Sequence, residues 1–303
     1  MSSITLLFTL LLTINLAVRA EFSKHFGSWL SEHFGEDVRQ HLERLDLGPG
    51  GSFGGKKDDF HKVTKQPVIF VHGVSNTAGD MMLRAATHFH QHYNYTNAEM
   101  YGTTYANGNQ GNPLQWAQYQ MQCHYVKLVR ALIVAVRLYT GRAVDVVGYS
   151  LGVPVSRKAI WGGRCVDTGE DLGAPLTKFV DTYVGVAGPN HGIALQVGGI
   201  QVPGCVFSVV PICNTRTGLY SGFCPAESDF LQDINRNAGY EGQHRFSIYS
   251  RADQIVGHTV CGRITSQVPQ QHGEKVFADK NHDDTFYDSF PFLYKMVSEH
   301  VVE

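Results

Sequence analysis

The sequence predicts an α/β protein whose mostly parallel sheet is covered by helices on both faces. Short β-branched runs such as Val68–Val71 and 179–186 are apolar throughout, which is typical of strands buried on both faces. Between them lie segments such as 79–92 and 151–161, whose pattern indicates helices. Strands that alternate with helices along one chain favour a parallel sheet.

Residues from about 65 onward supply this alternation. The predicted strands are 68–71, 99–105, 143–147, 179–186, 245–249 and 275–278. The predicted helices between the first four of them are 79–92, 114–139 and 151–161.

The N-terminal segment has the pattern of a secretory signal. Residues 4–18 are almost entirely apolar and uncharged, and Val18 and Ala20 are small residues at the positions that signal peptidase recognises. A membrane anchor is the alternative, but this run is shorter than the roughly 20 residues that span a bilayer. We therefore predict cleavage after Ala20 and a secreted, extracellular protein.

A helical extension follows the signal. Apolar residues at helical spacing in 21–47 predict helices, and the run 48–55, with five glycines and one proline, predicts a flexible linker. The chain is thus divided into a signal peptide (1–20), a helical extension with a Gly-rich linker (21–60) and the α/β domain (61–303).

The cysteines agree with secretion. An even number, all after the signal, fits three disulfides in an oxidising compartment, although the sequence does not choose among the many pairings. The candidates are Cys123, Cys165, Cys205, Cys213, Cys224 and Cys261. CxxC spacing is absent, so no metal is expected, and Asn94 begins a glycosylation sequon. The net charge of -2 argues against a nucleic-acid partner.

The segment Gly148-Tyr149-Ser150-Leu151-Gly152 matches the G-x-S-x-G pattern. It follows a predicted buried strand and precedes a predicted helix, which is the context that a nucleophilic serine at a sharp turn requires. The flanking glycines remove Cβ atoms that would clash in such a turn. We predict Ser150 as a nucleophile; an ordinary glycine-rich turn is the alternative.

A serine hydroxyl needs a base to take its proton. In the α/β-hydrolase order of serine, acid and histidine, Asp253 follows the strand 245–249 and His282 follows the strand 275–278. Both therefore fall on loops at the same sheet edge as Ser150, and we predict His282 as the base and Asp253 as its acid. The alternatives are two histidines and two aspartates: His258, His272, Asp229 and Asp233.

The oxyanion of such a reaction needs two N–H donors. One is expected from Leu151, which follows the serine, and the other from Val74, in the loop after the first strand of the α/β domain. His72 precedes the nucleophile in the chain, so we interpret it as a structural partner of this loop.

Five motifs that occur in order along the chain resemble those of the class 2 lipases, which are secreted α/β-hydrolases. They are Val71-His72-Gly73, Gly148-Tyr149-Ser150-Leu151-Gly152, Gly188-Pro189-Asn190-His191-Gly192, Ser250-Arg251-Ala252-Asp253 and Asn281-His282. The resemblance runs from about residue 66 to the C-terminus. It implies an α/β-hydrolase fold and triacylglycerol lipase or carboxylesterase activity, with no metal or organic cofactor.

The sequence thus predicts a serine hydrolase that cleaves carboxylic esters through an acyl-enzyme, with lipid esters indicated by the resemblance. A thioesterase, an acyltransferase or a peptidase uses the same chemistry, and a catalytically silent lipid-binding protein is a further alternative. The expected partner is an ester or lipid substrate, met at a transient lipid interface.

The segment 187–244 is much longer than the usual connection of about 2–6 residues plus a helix. Its first half is rich in apolar residues and it carries three of the six cysteines. We predict a cap whose residues Val206 and Phe207 contact the acyl chain of the substrate. The alternative is that these residues only pack the segment onto the domain.

Overall fold

The computed structural model describes residues 18, 20–108, 117–197, 200–205, 210–219, 223–224 and 227–303. The described strands are β1 (Ser52–Phe53), β2 (Val68–Val71), β3 (Met100–Thr103), β4 (Val144–Tyr149), β5 (Val180–Val186), β6 (Ala194–Val197), β7 (Ile200–Pro203), β8 (His244–Ser250), β9 (Thr259–Val260), β10 (Arg263–Ile264) and β11 (Gly273–Phe277).

The described α-helices are α1 (Lys24–Phe34), α2 (Glu36–Glu43), α3 (Leu83–Tyr93), α4 (Cys123–Thr140), α5 (Gly152–Trp161), α6 (Asp229–Asn235), α7 (His282–Tyr287) and α8 (Phe290–Glu299). A single π-helical turn, Ala78–Met82, leads into α3. Among these helices, none combines the length and the apolar character needed to cross a bilayer.

Seven of the described strands form one sheet in the order β1-β3-β2-β4-β5-β8-β11. Every neighbouring pair is parallel except β1 and β3. The predicted mostly parallel sheet is therefore confirmed. Because parallel strands end at one edge, the loops after β2, β4, β8 and β11 converge there.

Helices cover both faces of this sheet, and alternate residues of each strand face opposite layers. On β2, Ile69 and Val71 pack in one apolar cluster with residues of α1, α4 and α5. Val68 and Phe70 pack in a second cluster with residues of α3 and α8. Since all four residues of β2 are buried, the strand is apolar at every position rather than at every second one.

The N-terminal extension is part of the main core. Its helices form as predicted, and Phe26, Leu30 and Leu42 are fully buried in the cluster that includes α4. Ser23 caps α1 by accepting the N–H of Phe26, and Gly35, with a φ of 88°, separates α1 from α2.

The run 48–55 differs from the predicted flexible linker. Ser52 and Phe53 form β1, which pairs with β3 at the sheet edge, and both residues are buried. On either side of β1, the N–H of Thr104 donates to the carbonyl of Gly51 at 2.8 Å and the N–H of Gly55 to that of Asn97 at 2.7 Å. A glycine-rich composition predicts flexibility for an isolated segment. Here the run is ordered because its backbone pairs with β3 and the ring of Phe53 is buried.

The start of α4 also differs from the prediction. Residues 109–116 lie outside the described residues, residues 117–122 are not helical, and the helix begins at Cys123. The N–H of Cys123 donates to the carboxylate of Asp167 at 2.9 Å, so a side chain more than forty residues away completes the start of the helix.

All six cysteines are paired in three disulfides: Cys123–Cys165, Cys205–Cys213 and Cys224–Cys261. The first ties the start of α4 to the loop after α5. The second closes a short loop within the segment 187–244, and the third joins that segment to the turn between β9 and β10.

We predict that the long disulfide loop contributes more stability than the short one, because the unfolded chain loses more entropy when a longer loop is closed. The paired residues are 42 positions apart in Cys123–Cys165 and 8 apart in Cys205–Cys213. Replacing both cysteines of the first pair by serine should lower the free energy of unfolding by about 4 kcal/mol, and the same change in the second by about 2.5 kcal/mol. Urea unfolding of both variants measures the difference, and the reverse order would contradict the prediction.

Candidate active site

Ser150 lies in a sharp turn between β4 and α5. Its φ is 52°, which is uncommon for a residue other than glycine and stores backbone strain. Two close contacts hold this turn. The N–H of Ser150 donates to the carbonyl of Val186 at 2.8 Å, and a Cβ atom at Gly152 would overlap the carbonyl oxygens of Val71 and His72. The turn therefore forms only where β2 and β5 flank it.

The structure brings Ser150, Asp253 and His282 together at the carboxyl edge of the sheet. The Nε2 atom of His282 lies 2.9 Å from the Oγ atom of Ser150, and its Nδ1 atom lies 2.7 Å from the Oδ2 atom of Asp253. All three side chains are buried. Asn281 caps α7 by accepting the N–H of Asp284, which makes His282 the first residue of the helix.

Asp253 is held in place by its own backbone loop. Its Oδ1 atom accepts the N–H groups of Ile255 and Val256, both at 2.9 Å, which leaves Oδ2 for His282. A carboxylate at Nδ1 fixes the proton on that nitrogen, so Nε2 faces Ser150 as an acceptor. The arrangement is able to move the Ser150 proton onto the imidazole.

The alternative bases and acids are engaged elsewhere. His258 contacts the hydroxyl of Thr259 at 3.0 Å, and His272, which precedes β11, accepts the N–H of Arg245 at 3.0 Å. Asp233 pairs with Lys158 at 2.6 Å, and Asp229 is exposed in the first turn of α6. Within the described residues, none of these four side chains bonds to Ser150 or His282.

Of the two predicted oxyanion donors, Leu151 follows Ser150 in the chain and Val74 lies in the loop after β2. Leu151 is buried at the start of α5, and Val74 is half-buried in the loop after β2. Across the described part of the chain, neither N–H has a hydrogen-bond acceptor. Two such N–H groups at one sheet edge are able to bind a negatively charged oxygen.

His72 holds the loop that carries Val74, as the sequence predicted. Its Nδ1 atom lies 2.7 Å from the carbonyl oxygen of Gly73, and its Nε2 atom accepts the N–H of Tyr105 at 3.2 Å. Burial lowers the pKa of His72 to about 4, so the ring is neutral near pH 7 and its one proton is donated to Gly73. The imidazole is a fixed structural bridge.

Sequence reasoning missed a buried polar cluster around Arg157. The guanidinium of Arg157, on α5, is fully buried and bonds to Glu241 at 2.9 Å, Asn190 at 3.0 Å and Asn235 at 2.9 Å. The cluster connects α5 to α6 and to the loop after β5. The local signal for it is the pair of charged residues, Arg157 and Lys158, on an otherwise apolar helix. Gln254 was also missed; it accepts the N–H of His282 at 3.1 Å.

The predicted cap is described only in part. Val206 and Phe207 lie outside the described residues. The antiparallel hairpin β6–β7 precedes them, and the N–H of Ala194 at its start donates to the carbonyl of Val256 at 2.9 Å. The segment 187–244 is thus anchored to the loop that carries Asp253. Asn94, the predicted glycan acceptor, is exposed at the end of α3.

The profile of the family described as "Lipase (class 2)" matches residues 65–295. The chain belongs to the class 2 lipase family. This class 2 lipase is therefore a carboxylic ester hydrolase, and its substrate class is an ester or lipid.

Two solved lipase structures are similar to this class 2 lipase. Aspergillus fumigatus lipase B is similar with a TM-score of 0.50 and 15% identity, over 82% of this chain and 56% of that one. The mature form of a Bacillus licheniformis lipase is similar with a TM-score of 0.49 and 14% identity, over 82% and 98%. At 15% identity the likeness to the Aspergillus lipase shows the α/β-hydrolase fold alone. A comparison with curated proteins gave no match.

We predict that His72 makes the lipase less stable as the pH falls. An unfolded histidine binds its proton near pH 6.5, whereas the pKa of His72 in the folded protein is about 4. The unfolded chain thus takes up the proton first, and stability that is present above about pH 6.5 is lost below it. Between about pH 7.5 and about pH 5 this group alone should remove about 2 kcal/mol from the free energy of unfolding.

The variant His72→Gln lacks this titration and keeps a polar side chain. Urea unfolding of both proteins at the two pH values should give a decrease that is smaller in the variant by about 2 kcal/mol. All other titrating groups are common to both proteins, so they cancel in the comparison. The same pH dependence in both proteins would contradict the prediction.

Proposed function

We propose that this class 2 lipase hydrolyses carboxylic esters, with acylglycerols as its natural substrates, through an acyl-enzyme on Ser150. His282 is the general base and Asp253 orients it. One observation carries the proposal: the continuous hydrogen-bonded path from Ser150 Oγ through both nitrogens of His282 to Asp253, at 2.9 and 2.7 Å. Groups held in this order activate a serine for attack on a carbonyl carbon.

In the first half of the reaction, Ser150 Oγ attacks the ester carbonyl carbon as its proton passes to His282 Nε2. The carbonyl π electrons move onto oxygen, and the N–H groups of Leu151 and Val74 donate to this oxyanion. Asp253 stabilises the imidazolium without taking its proton. When the tetrahedral intermediate collapses, the bond to the leaving alkoxide breaks and His282 returns the proton to it, so that an alcohol departs.

In the second half, water replaces the alcohol. His282 takes a proton from the water while the water oxygen attacks the acyl carbon, and the same two N–H groups donate to the new oxyanion. Collapse of this intermediate releases the carboxylic acid and returns the proton to Ser150. The side chains described above carry every proton transfer in this cycle.

We also propose that the protein is secreted, with residues 1–20 as the cleaved signal, 21–60 as the extension and 61–303 as the catalytic domain. Two features support this proposal. Pairing of all six cysteines fits an oxidising compartment, and Asn94 is exposed, as a glycan acceptor must be. Residues 1–17 and 19 lie outside the described residues.

We predict that Ser150→Ala lowers kcat on a soluble nitrophenyl ester by roughly 10⁶-fold and abolishes labelling by a fluorophosphonate, because the nucleophile is gone. His282→Ala should lose activity to a similar degree. The control variants His258→Ala and His272→Ala should keep most of it, since neither side chain contacts Ser150. Labelling of Ser150→Ala at another residue, or an active His282→Ala variant, would overturn the proposal.

We further predict that the cap residues set the preference for long acyl chains. The double variant Val206→Ser and Phe207→Ser should lose much more activity on long-chain esters than on acetate or butyrate esters, because only a long chain reaches an apolar cap. The control is Leu138→Ser, an exposed apolar residue of α4 near the opposite sheet edge. A chain-length series of nitrophenyl esters measures the effect, and equal losses at all lengths would mean that the cap is only structural.

A further inference from the structure

Arg44 connects the N-terminal extension to the neighbourhood of the candidate active site. It ends α2 and lies outside the family match, which begins at residue 65. Its Nη1 atom donates to the carbonyl oxygens of Thr104 and Ala106, at 2.5 and 2.6 Å. Its Nε and Nη2 atoms bind the two carboxylate oxygens of Asp46, both at 2.9 Å. The guanidinium plane is thereby fixed while it binds the loop after β3.

Tyr105, which lies between Thr104 and Ala106 in the chain, supports His72. The N–H of Tyr105 donates to His72 Nε2 at 3.2 Å, and the two rings stack with their centroids 4.1 Å apart. Tyr105 and His72 are both fully buried or nearly so. Because Arg44 binds the carbonyls of Thr104 and Ala106, it restrains a peptide group on each side of Tyr105, including the one that carries this N–H.

His72 in turn sets the position of the loop after β2. Its Nδ1 atom bonds to the carbonyl of Gly73 at 2.7 Å. Gly73 lies directly against the nucleophile, since a Cβ atom built on it would stand 2.7 Å from Ser150 Cβ. The next residue is Val74, whose N–H is the proposed oxyanion donor.

We propose that Arg44 is a positioning residue for ester hydrolysis, acting through Tyr105 and His72 to hold the Val74 N–H where the oxyanion forms. The proposal rests on the proposed function, since it needs that N–H to act in the transition state. The removal of one oxyanion donor lowers kcat by about 10²–10³-fold in serine hydrolases. Displacement of a donor that remains present is expected to lower kcat by a smaller factor than its removal.

A purely structural role for Arg44 is the competing explanation. The extension has other anchors, because Phe26, Leu30 and Leu42 are fully buried in the main core and β1 pairs with β3. Loss of one arginine therefore leaves the extension attached. The two roles differ in what they change: a displaced oxyanion donor lowers kcat with little effect on KM, whereas a loosened extension lowers stability.

The test compares Arg44→Met with Arg39→Gln on a soluble short-chain nitrophenyl ester. Arg39 also lies on α2 and forms an ion pair with Glu43 at 2.8 Å, but it has no contact with the loop after β3 among the described residues. We expect Arg44→Met to lower kcat by about 10- to 100-fold with KM within about twofold of wild type, because only the transition state carries the oxyanion. Arg39→Gln should keep wild-type kcat.

A boronic acid that forms a tetrahedral adduct with Ser150 gives a second readout. Its affinity should fall in Arg44→Met by the same factor as kcat, since the adduct places an oxygen in the oxyanion position. Unchanged kcat in Arg44→Met, or an equal loss in Arg39→Gln, would overturn the proposal.

If Arg44→Met does not fold, Arg44→Lys replaces it. One ammonium cannot bind both carbonyls and Asp46 as the guanidinium fork does, so kcat should fall by about threefold or more. Wild-type kcat in Arg44→Lys would then overturn the proposal. Failure of the proposed function is recognised separately, because an active Ser150→Ala variant refutes the mechanism whatever Arg44 does.

Discussion

The backbone turn at Ser150 is the constraint on which the rest of the site depends. A positive φ at a residue with a side chain is unfavourable, so neighbouring contacts must hold it. They come from both sides: the carbonyl of Val186 binds the Ser150 N–H, and the backbone at Val71 packs against Gly152. The strand register places Val71, Gly148 and Gly185 opposite one another. The sheet and the turn therefore support each other, because a register shift would remove these contacts.

Two groups of residues, far apart in the sequence, support the loops around this turn. On one side, Arg44 of the extension binds backbone carbonyls in the loop after β3. Tyr105 of that loop donates its N–H to His72, which lies in the loop that carries Val74. On the other side, the buried guanidinium of Arg157 binds the loop at Asn190 and the helix α6. A buried arginine is tolerated only when its donors are satisfied, and Glu241 supplies the opposite charge at 2.9 Å. Polar contacts rather than further apolar packing thus fix the loops, because hydrogen bonds have direction and apolar contacts do not.

The sequence was sufficient for the six parallel strands of the sheet and for the residues that meet at its carboxyl edge. Buried parallel strands are apolar at every position, and chain order selected Asp253 and His282 from many acids and histidines. The remaining features depend on contacts distant in the chain. The start of α4 is completed by Asp167, and β1 has two residues and forms only because β3 is beside it. Disulfide pairing and the contacts of Arg44 likewise have no local pattern, since their partners lie up to about sixty residues away.

The place of His282 in the fold has a consequence for biosynthesis. This residue follows β11, which lies at one edge of the sheet and is the last strand in the described chain. A nascent chain that has completed β4 already carries the serine, but under the proposed mechanism that serine has no base until β11 joins β8. Under the proposed mechanism and the proposed secretion, the enzyme is therefore inert toward esters while it is synthesised and threaded across a membrane. Its activity begins only when β11 and the helix α7, which begins with His282, have folded.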